Sequence, residues 1–196
     1  MSMNYDFDRI DSLIETGMYS EALDLLTGIL EEEPDNQEAL WRIGVVFTER
    51  NEPFKARKAL QYFFRFQEEH PQALEAYGCA LFKMGQNQQA CEYLEKAEKI
   101  MPGSSSIKRN LGVVYNQLGK RDTSYSKFKK SYDMNPEDYR TGYALAMAHI
   151  HFNHYAAARE VLERMLSQQL PTDFRELADE SYKWIKKRLG HHIDRD

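Results

Sequence analysis

Only two cysteines, Cys79 and Cys91, occur in 196 residues. Both sit inside helical patterns without a metal-type spacing, so buried, reduced thiols are expected rather than a disulfide framework. No apolar run approaches the ~20 residues that a spanning helix needs, which argues against a membrane span. The first ten residues carry Asp6, Asp8 and Arg9 and have no apolar core, so they do not read as a secretory leader, and a cytoplasmic protein is expected. Positive charge is not in excess. The formal net charge is −5, whereas a general nucleic-acid binder needs a dominant basic surface. No Walker-type loop, dinucleotide fingerprint or nucleophile elbow is present, so no enzyme and no cofactor is expected.

The histidines offer one cluster, His149, His151 and His154. On a helix His149 and His151 point about 200° apart, whereas ligands are brought together by spacings of three or four. Asn153 also places His154 past the helix end, so no metal site is expected. Charge is unevenly placed: residues 1–70 hold 15 acidic and 7 basic side chains, and residues 71–196 hold 16 and 19. Such a gradient can orient a charged partner or align copies head to tail.

What the chain does have is internal repetition. A 34-residue step links Gly44, Gly78, Gly112 and Ala146. The same step links Ala22, Ala56, Ala90, Ser124 and Ala158, and then Leu26, Leu60, Leu94, Phe128 and Leu162. A fourth series is Gly17, Asn51, Gly85, Gly119 and Asn153. The first two series are small residues, which lets two antiparallel helices approach closely. The third fills the core beside that contact. The fourth falls where a left-handed residue closes a helix C-terminus. Prolines 34, 71, 102, 136 and 171 punctuate the units. Asn135-Pro136-Glu137-Asp138 reads as an N-cap, a proline at the first helical position and acids in the first turn. Pro71 falls three residues late, which predicts a return helix running on through Phe64, Phe66 and Glu69.

This pattern resembles the tetratricopeptide repeat (TPR) family over residues 3–172, as units 3–36, 37–70, 71–104, 105–138 and 139–172. The third unit fits best, through Leu74, Tyr77, Gly78, Leu81, Gly85, Ala90, Leu94, Ala97 and Pro102. The first fits least, with Asp6 and Arg9 at positions that are normally apolar, so it begins late or frays. The resemblance implies an all-α fold, a right-handed α-solenoid of about five helical hairpins. Beyond Pro171, Asp173 and Glu176 suggest a capping-box start. Phe174, Leu177, Ala178, Ser181, Trp184, Ile185 and Leu189 follow at helical spacing. Residues 173–189 are therefore expected to be a C-terminal capping helix over the last apolar face, ended by Gly190, with residues 190–196 a flexible tail. Lys183, Lys186, Lys187 and Arg188 near its end complement the helix dipole, a simpler reading than contact with nucleic acid or anionic lipid.

The resemblance also implies a concave groove lined by the first helix of each unit. The matching positions are Trp41, Val45, Thr48 and Glu49; Glu75, Cys79, Phe82 and Lys83; Arg109, Val113, Asn116 and Gln117; and Arg140, Tyr143, Met147, Ile150 and His151. Trp41, Phe82 and Tyr143 could equally turn into the core. One subset of the family clamps the acidic C-terminus of heat-shock chaperones, but Val45, Cys79, Val113 and Met147 stand where its asparagines should be. An apolar peptide or amphipathic helix fits such a floor better. The expected role is a protein-interaction adaptor. The rivals are a self-assembling scaffold and a chaperone or regulatory subunit that holds a hydrophobic segment of an enzyme or secreted protein.

Overall fold

The computed structural model describes residues 5–193, with side chains through Leu189. All secondary structure in that span is helical and falls into two compact units, Met1–Gly103 and Ser104–Asp196. The first unit holds three hairpins: α1 (Phe7–Glu15) with α2 (Tyr19–Glu32), α3 (Gln37–Glu49) with α4 (Pro53–Phe63), and α5 (Pro71–Lys83) with α6 (Asn87–Ile100). The second holds two hairpins, α7 (Ser105–Gln117) with α8 (Arg121–Met134) and α9 (Tyr139–His151) with α10 (Tyr155–Leu166), followed by the long α11 (Thr172–Ile193).

The four sequence series occupy the structural places their chemistry requires. Gly17, Asn51, Gly85, Gly119 and Asn153 all have positive φ, between 59° and 78°, at the turn between the two helices of a hairpin. Each hairpin then closes through its small residues. A Cβ on Gly78 would lie 2.7 Å from Leu94 Cγ, and one on Gly112 would lie 2.5 Å from Phe128 Cε1. Gly44 meets Leu60 in the same way. Ser124 holds a place that is alanine in the other units, and its hydroxyl donates to the Gly112 carbonyl at 2.7 Å. The turn series yields a direct prediction. Gly85→Ala should cost about 1–2 kcal/mol, because L residues resist the left-handed region. Gly103→Ala, with neither positive φ nor a crowded Cβ, should be near neutral. Urea unfolding of the two variants measures the difference.

Local starts and stops depart from the sequence reading in four places. α4 stops at Phe63, and Phe64 through His70 form a turn and loop instead of a longer helix. The extra residues are used to restart the chain: Pro71 opens α5, and His70 Nδ1 accepts from the Ala73 amide. α9 is capped by Asp138 rather than Asn135, with Oδ1 accepting from the Arg140 amide. Asp6, out of place as an apolar residue, is the N-cap of a short α1 and accepts from the Arg9 amide. Finally, α11 begins at Thr172, which puts Asp173 inside the first turn, and it runs through Gly190 to Ile193. A glycine at a helix end is permissive and not a stop signal when its φ stays negative. The tail expected from residue 190 is thus helical to 193, and its last three positions, 194–196, lie outside the described residues.

Candidate binding cleft

Within the second unit, α7, α8 and α9 frame a cleft of about 430 Å³. Its apolar floor is Val113, Phe128, Tyr143, Ala144, Met147 and Phe152, and its polar edge is Asn116, Arg121, Ser124 and His151. Five of the expected groove residues, Val113, Asn116, Tyr143, Met147 and His151, therefore meet in one place. Among the described residues the lining contains no carboxylate, so Arg121 gives the cleft a positive edge. Val113 stays 36% exposed although apolar, which makes it the most accessible part of the floor. The walls are fixed from behind. Phe128 is buried against the Gly112 contact, and Leu145, Ala146 and Leu162 form the core beneath α9.

Other expected groove residues do different work. Arg109 is a strut: its Nη1 donates to Asp138 Oδ2 at 2.7 Å, and both side chains are largely covered. Asp138 Oδ2 also accepts from Thr141 Oγ1, which lies 3.1 Å from Ser131 Oγ, and Ser131 donates to the Ser105 carbonyl. Burial pushes the Asp138 carboxyl up, but the Thr141 hydrogen bond and the Arg109 charge outweigh it and hold the pKa below its ordinary value. Ile150 faces a separate hollow of about 310 Å³ with Glu180, Ser181 and Trp184 of α11. Tyr143 is half-buried, with Phe174 of α11 6.1 Å away across an edge-to-face contact.

In the first unit, Trp41 is neither free groove nor deep core. Its ring lies 4.8 Å from His70, the Arg42 guanidinium sits over it, and Nε1 donates to Glu38. Thr48 is buried, its hydroxyl shared between the Gly44 carbonyl at 2.9 Å and the Ala76 carbonyl at 3.3 Å, while Lys83 Nζ donates to the Thr48 carbonyl. Val45, Cys79 and Phe82 are half-buried and Glu49 is exposed. No disulfide joins Cys79 and Cys91, and Cys91 Sγ donates to Glu95 Oε1 at 3.3 Å. A mixed-charge hollow of about 560 Å³, with Phe64, Tyr93, Glu68, Glu69, Lys96 and Lys99 on its walls, was not anticipated.

The sequence reading missed Arg121, Phe128 and Phe152 as lining residues because it carried over first-helix positions alone. The available signal was Gly119: a left-handed turn there aims the first residues of α8 back over α7. Among the histidines, the His149 and His154 rings lie 5.9 Å apart around Tyr125, whereas His151 lies at the cleft. No group of three or more His, Cys, Asp or Glu that could hold a metal occurs among the described residues.

His70 and His149 have pKa values held below the ordinary 6.5, in each case chiefly by burial. Arg42 adds to this at His70 against the opposing Glu38, and His154 and Lys129 add to it at His149. A depressed folded-state value means the unfolded chain takes up the proton first. The stability from the neutral rings is complete above about pH 6.5 and is lost as pH falls through the folded values. Protonating His70 Nδ1 also removes the α5 cap. Thermal melts from pH 7.5 to 5 should show a falling midpoint, and His70→Asn, which keeps a capping oxygen but cannot titrate, should flatten part of the slope. An equally steep slope in that variant would remove His70 from the account.

Helical hairpins closed by a left-handed residue, with a small-to-large contact repeated every 34 positions, define a helical repeat protein. Tetratricopeptide repeat family models match residues 13–76 and 71–103. The chain is a tetratricopeptide repeat protein, a class made in general of non-catalytic scaffolds for protein–protein contact. It is similar to the BBSome complex member BBS4 homolog of Drosophila melanogaster, 26% identical over 145 residues. That match covers 74% of this chain and 30% of the relative, so the chain spans about a third of that protein's length. Among solved structures, the thermophilic TPR protein TTC0263 of Thermus thermophilus matches with a TM-score of 0.76 at 20% identity, covering 89% of this chain and 95% of that one. Pseudomonas aeruginosa pilF matches with a TM-score of 0.71 at 18% identity, covering 96% and 90%. These likenesses establish the fold. No helix among the described residues is long and apolar enough to cross a membrane.

Proposed function

We propose that the chain is a cytoplasmic adaptor whose second unit holds an apolar or amphipathic segment of a partner protein in the α7–α8–α9 cleft. The observation that carries this reading is the apolar floor of Val113, Tyr143 and Met147 beside Arg121, a cation with no carboxylate in the lining. Apolar surface left facing a concavity is favourable to cover, and the positive edge favours a segment that also carries an acid. The floor is backed by packed helices, so little ordering cost falls on the adaptor when the segment docks. The Drosophila relative is named as a member of a complex, which accords with a role in assembly.

A photo-cross-linking residue at Val113, expressed in the native host, tests this. The adduct should map to one segment with apolar residues at helical or extended spacing and a nearby Asp or Glu. The same probe at Lys130, on the exposed face of α8, should capture nothing in common with it. Identical adducts from both positions would overturn the proposal.

A further inference from the structure

We infer that a second copy of the chain docks its acidic α2 against the C-terminal half of the Trp184-bearing face of α11, where Lys183, Lys187 and Arg188 gather. This is a contact separate from the cleft. On α11, Leu177 and Trp184 are 43% and 46% exposed, two turns apart on one face. Helical geometry places Asp173, Glu180, Lys187 and Arg188 within the same arc of about 100°, with Glu176 and Lys183 on its flank, so the acids gather toward the N-terminal end of the face and the cations toward its C-terminal end. Arg188 lies over the Trp184 ring at 5.4 Å, holding the indole at the surface. The hollow of about 310 Å³ formed by Ile150, Glu180, Ser181 and Trp184 opens beside it. Neither Lys183 nor Lys187 is in an ion pair among the described residues.

The outer face of α2 complements the C-terminal half of this surface in charge and in its exposed apolar residues. Met18 and Leu25 are 45% and 36% exposed, again seven residues apart. Glu21, Gly28 and Glu32 share an arc of about 80° with them, flanked by Asp24 and Glu31. Residues 5–38 carry eleven acidic side chains and Arg9 as the one cation. Gly28 is the telling residue. It sits inside a helix, where glycine is unfavourable, yet a Cβ there would meet nothing within 4 Å. No packing among the described residues requires it, but a large side chain crossing this face, such as Trp184, needs the flat backbone it leaves. Leu25 or Met18 has the size to enter the hollow beside Trp184. Asp173, Glu176 and Glu180 are the unfavourable groups, so the register sets Lys183 and Lys187 against the acids of α2 and leaves those three outside. The two surfaces differ, so copies either pair reciprocally about a two-fold axis or add head to tail.

Sedimentation velocity across a dilution series tests this. At low salt the mass should rise above that of a monomer with concentration and fall back as salt screens the charges. Asp24→Lys/Glu31→Lys alone and Lys183→Glu/Lys187→Glu alone should each weaken association by roughly tenfold or more. An equal mixture of the two variants should associate again, because every reversed face then has a matching partner. Gly28→Gln should also weaken association while its melting temperature does not fall, which separates the contact from folding. A chain that stays monomeric at low salt, variants that associate like the parent, or a mixture that stays apart would each overturn the inference.

Discussion

Leu94→Ala should lower the unfolding free energy by about 2–5 kcal/mol, the range for removing a fully buried leucine. Leu94 has no exposed surface and packs on Gly78, where the two helices of the third hairpin come closest. The gap cannot close easily, since the Ala90 carbonyl already lies 3.2 Å from where a Cβ on Gly78 would stand. Gly78→Ala alone should cost about 1–3 kcal/mol by overpacking against Leu94. The two changes are coupled. In the double variant the new methyl enters the space the leucine left, so the loss should fall well short of the sum. Urea unfolding of all four chains gives the cycle. Additive losses would mean that Gly78 and Leu94 do not share the contact on which the repeat register rests.

The second large effect belongs to Arg42, which ties α1 to α3. Its Nε and Nη2 donate to the two oxygens of Asp11 at 2.7 and 2.8 Å, and Nη1 reaches Glu38 at 2.5 Å. The guanidinium also lies 4.6 Å from the Phe7 ring centroid and 4.2 Å from that of Trp41. The Arg42 side chain is 9% exposed against 40% for Asp11, so the two deletions are unequal. Asp11→Ala strands a covered cation with Glu38 alone and should cost about 3 kcal/mol, the lower end for breaking a covered pair. Arg42→Met leaves only the partly solvated carboxylates of Asp11 and Glu38 and keeps the apolar stem, so it should cost less. Hydrogen exchange locates the effect: Asp11→Ala should deprotect α1 while α6 keeps its protection. Equal losses from the two variants would show that the pair acts at the surface.

The parts of the fold that were legible in the sequence are those set by steric demands that repeat. A left-handed turn accepts only Gly or Asn readily, and a close helix approach accepts only a small residue, so Gly85 and Gly78 announce their places without an alignment. The helix starts were less legible, because caps are chosen by single local hydrogen bonds. His70 and Asp138 won those positions over a continued helix and over Asn135, and nothing in the 34-residue spacing encodes that competition. For the candidate cleft, the resemblance to the repeat family implies Val113, Asn116, Tyr143, Met147 and His151 as groove positions of the second unit. It does not reveal that Arg109 is spent on Asp138, that Thr48 turns inward to the Gly44 and Ala76 carbonyls, or that Arg121 completes the rim. Those outcomes depend on which polar partner happens to lie within reach.

The adaptor reading meets its most direct test in one paired measurement on a single variant. Val113→Glu places a carboxylate on the exposed floor of the cleft and removes no buried group. Titrating a synthetic copy of the segment cross-linked at Val113 into parent and variant, with a thermal melt of each, gives both affinity and stability. The account predicts a loss of about tenfold or more in affinity, equivalent to ~1.4 kcal/mol, at an unchanged melting temperature. Unchanged affinity, or affinity and melting temperature falling together, would contradict it.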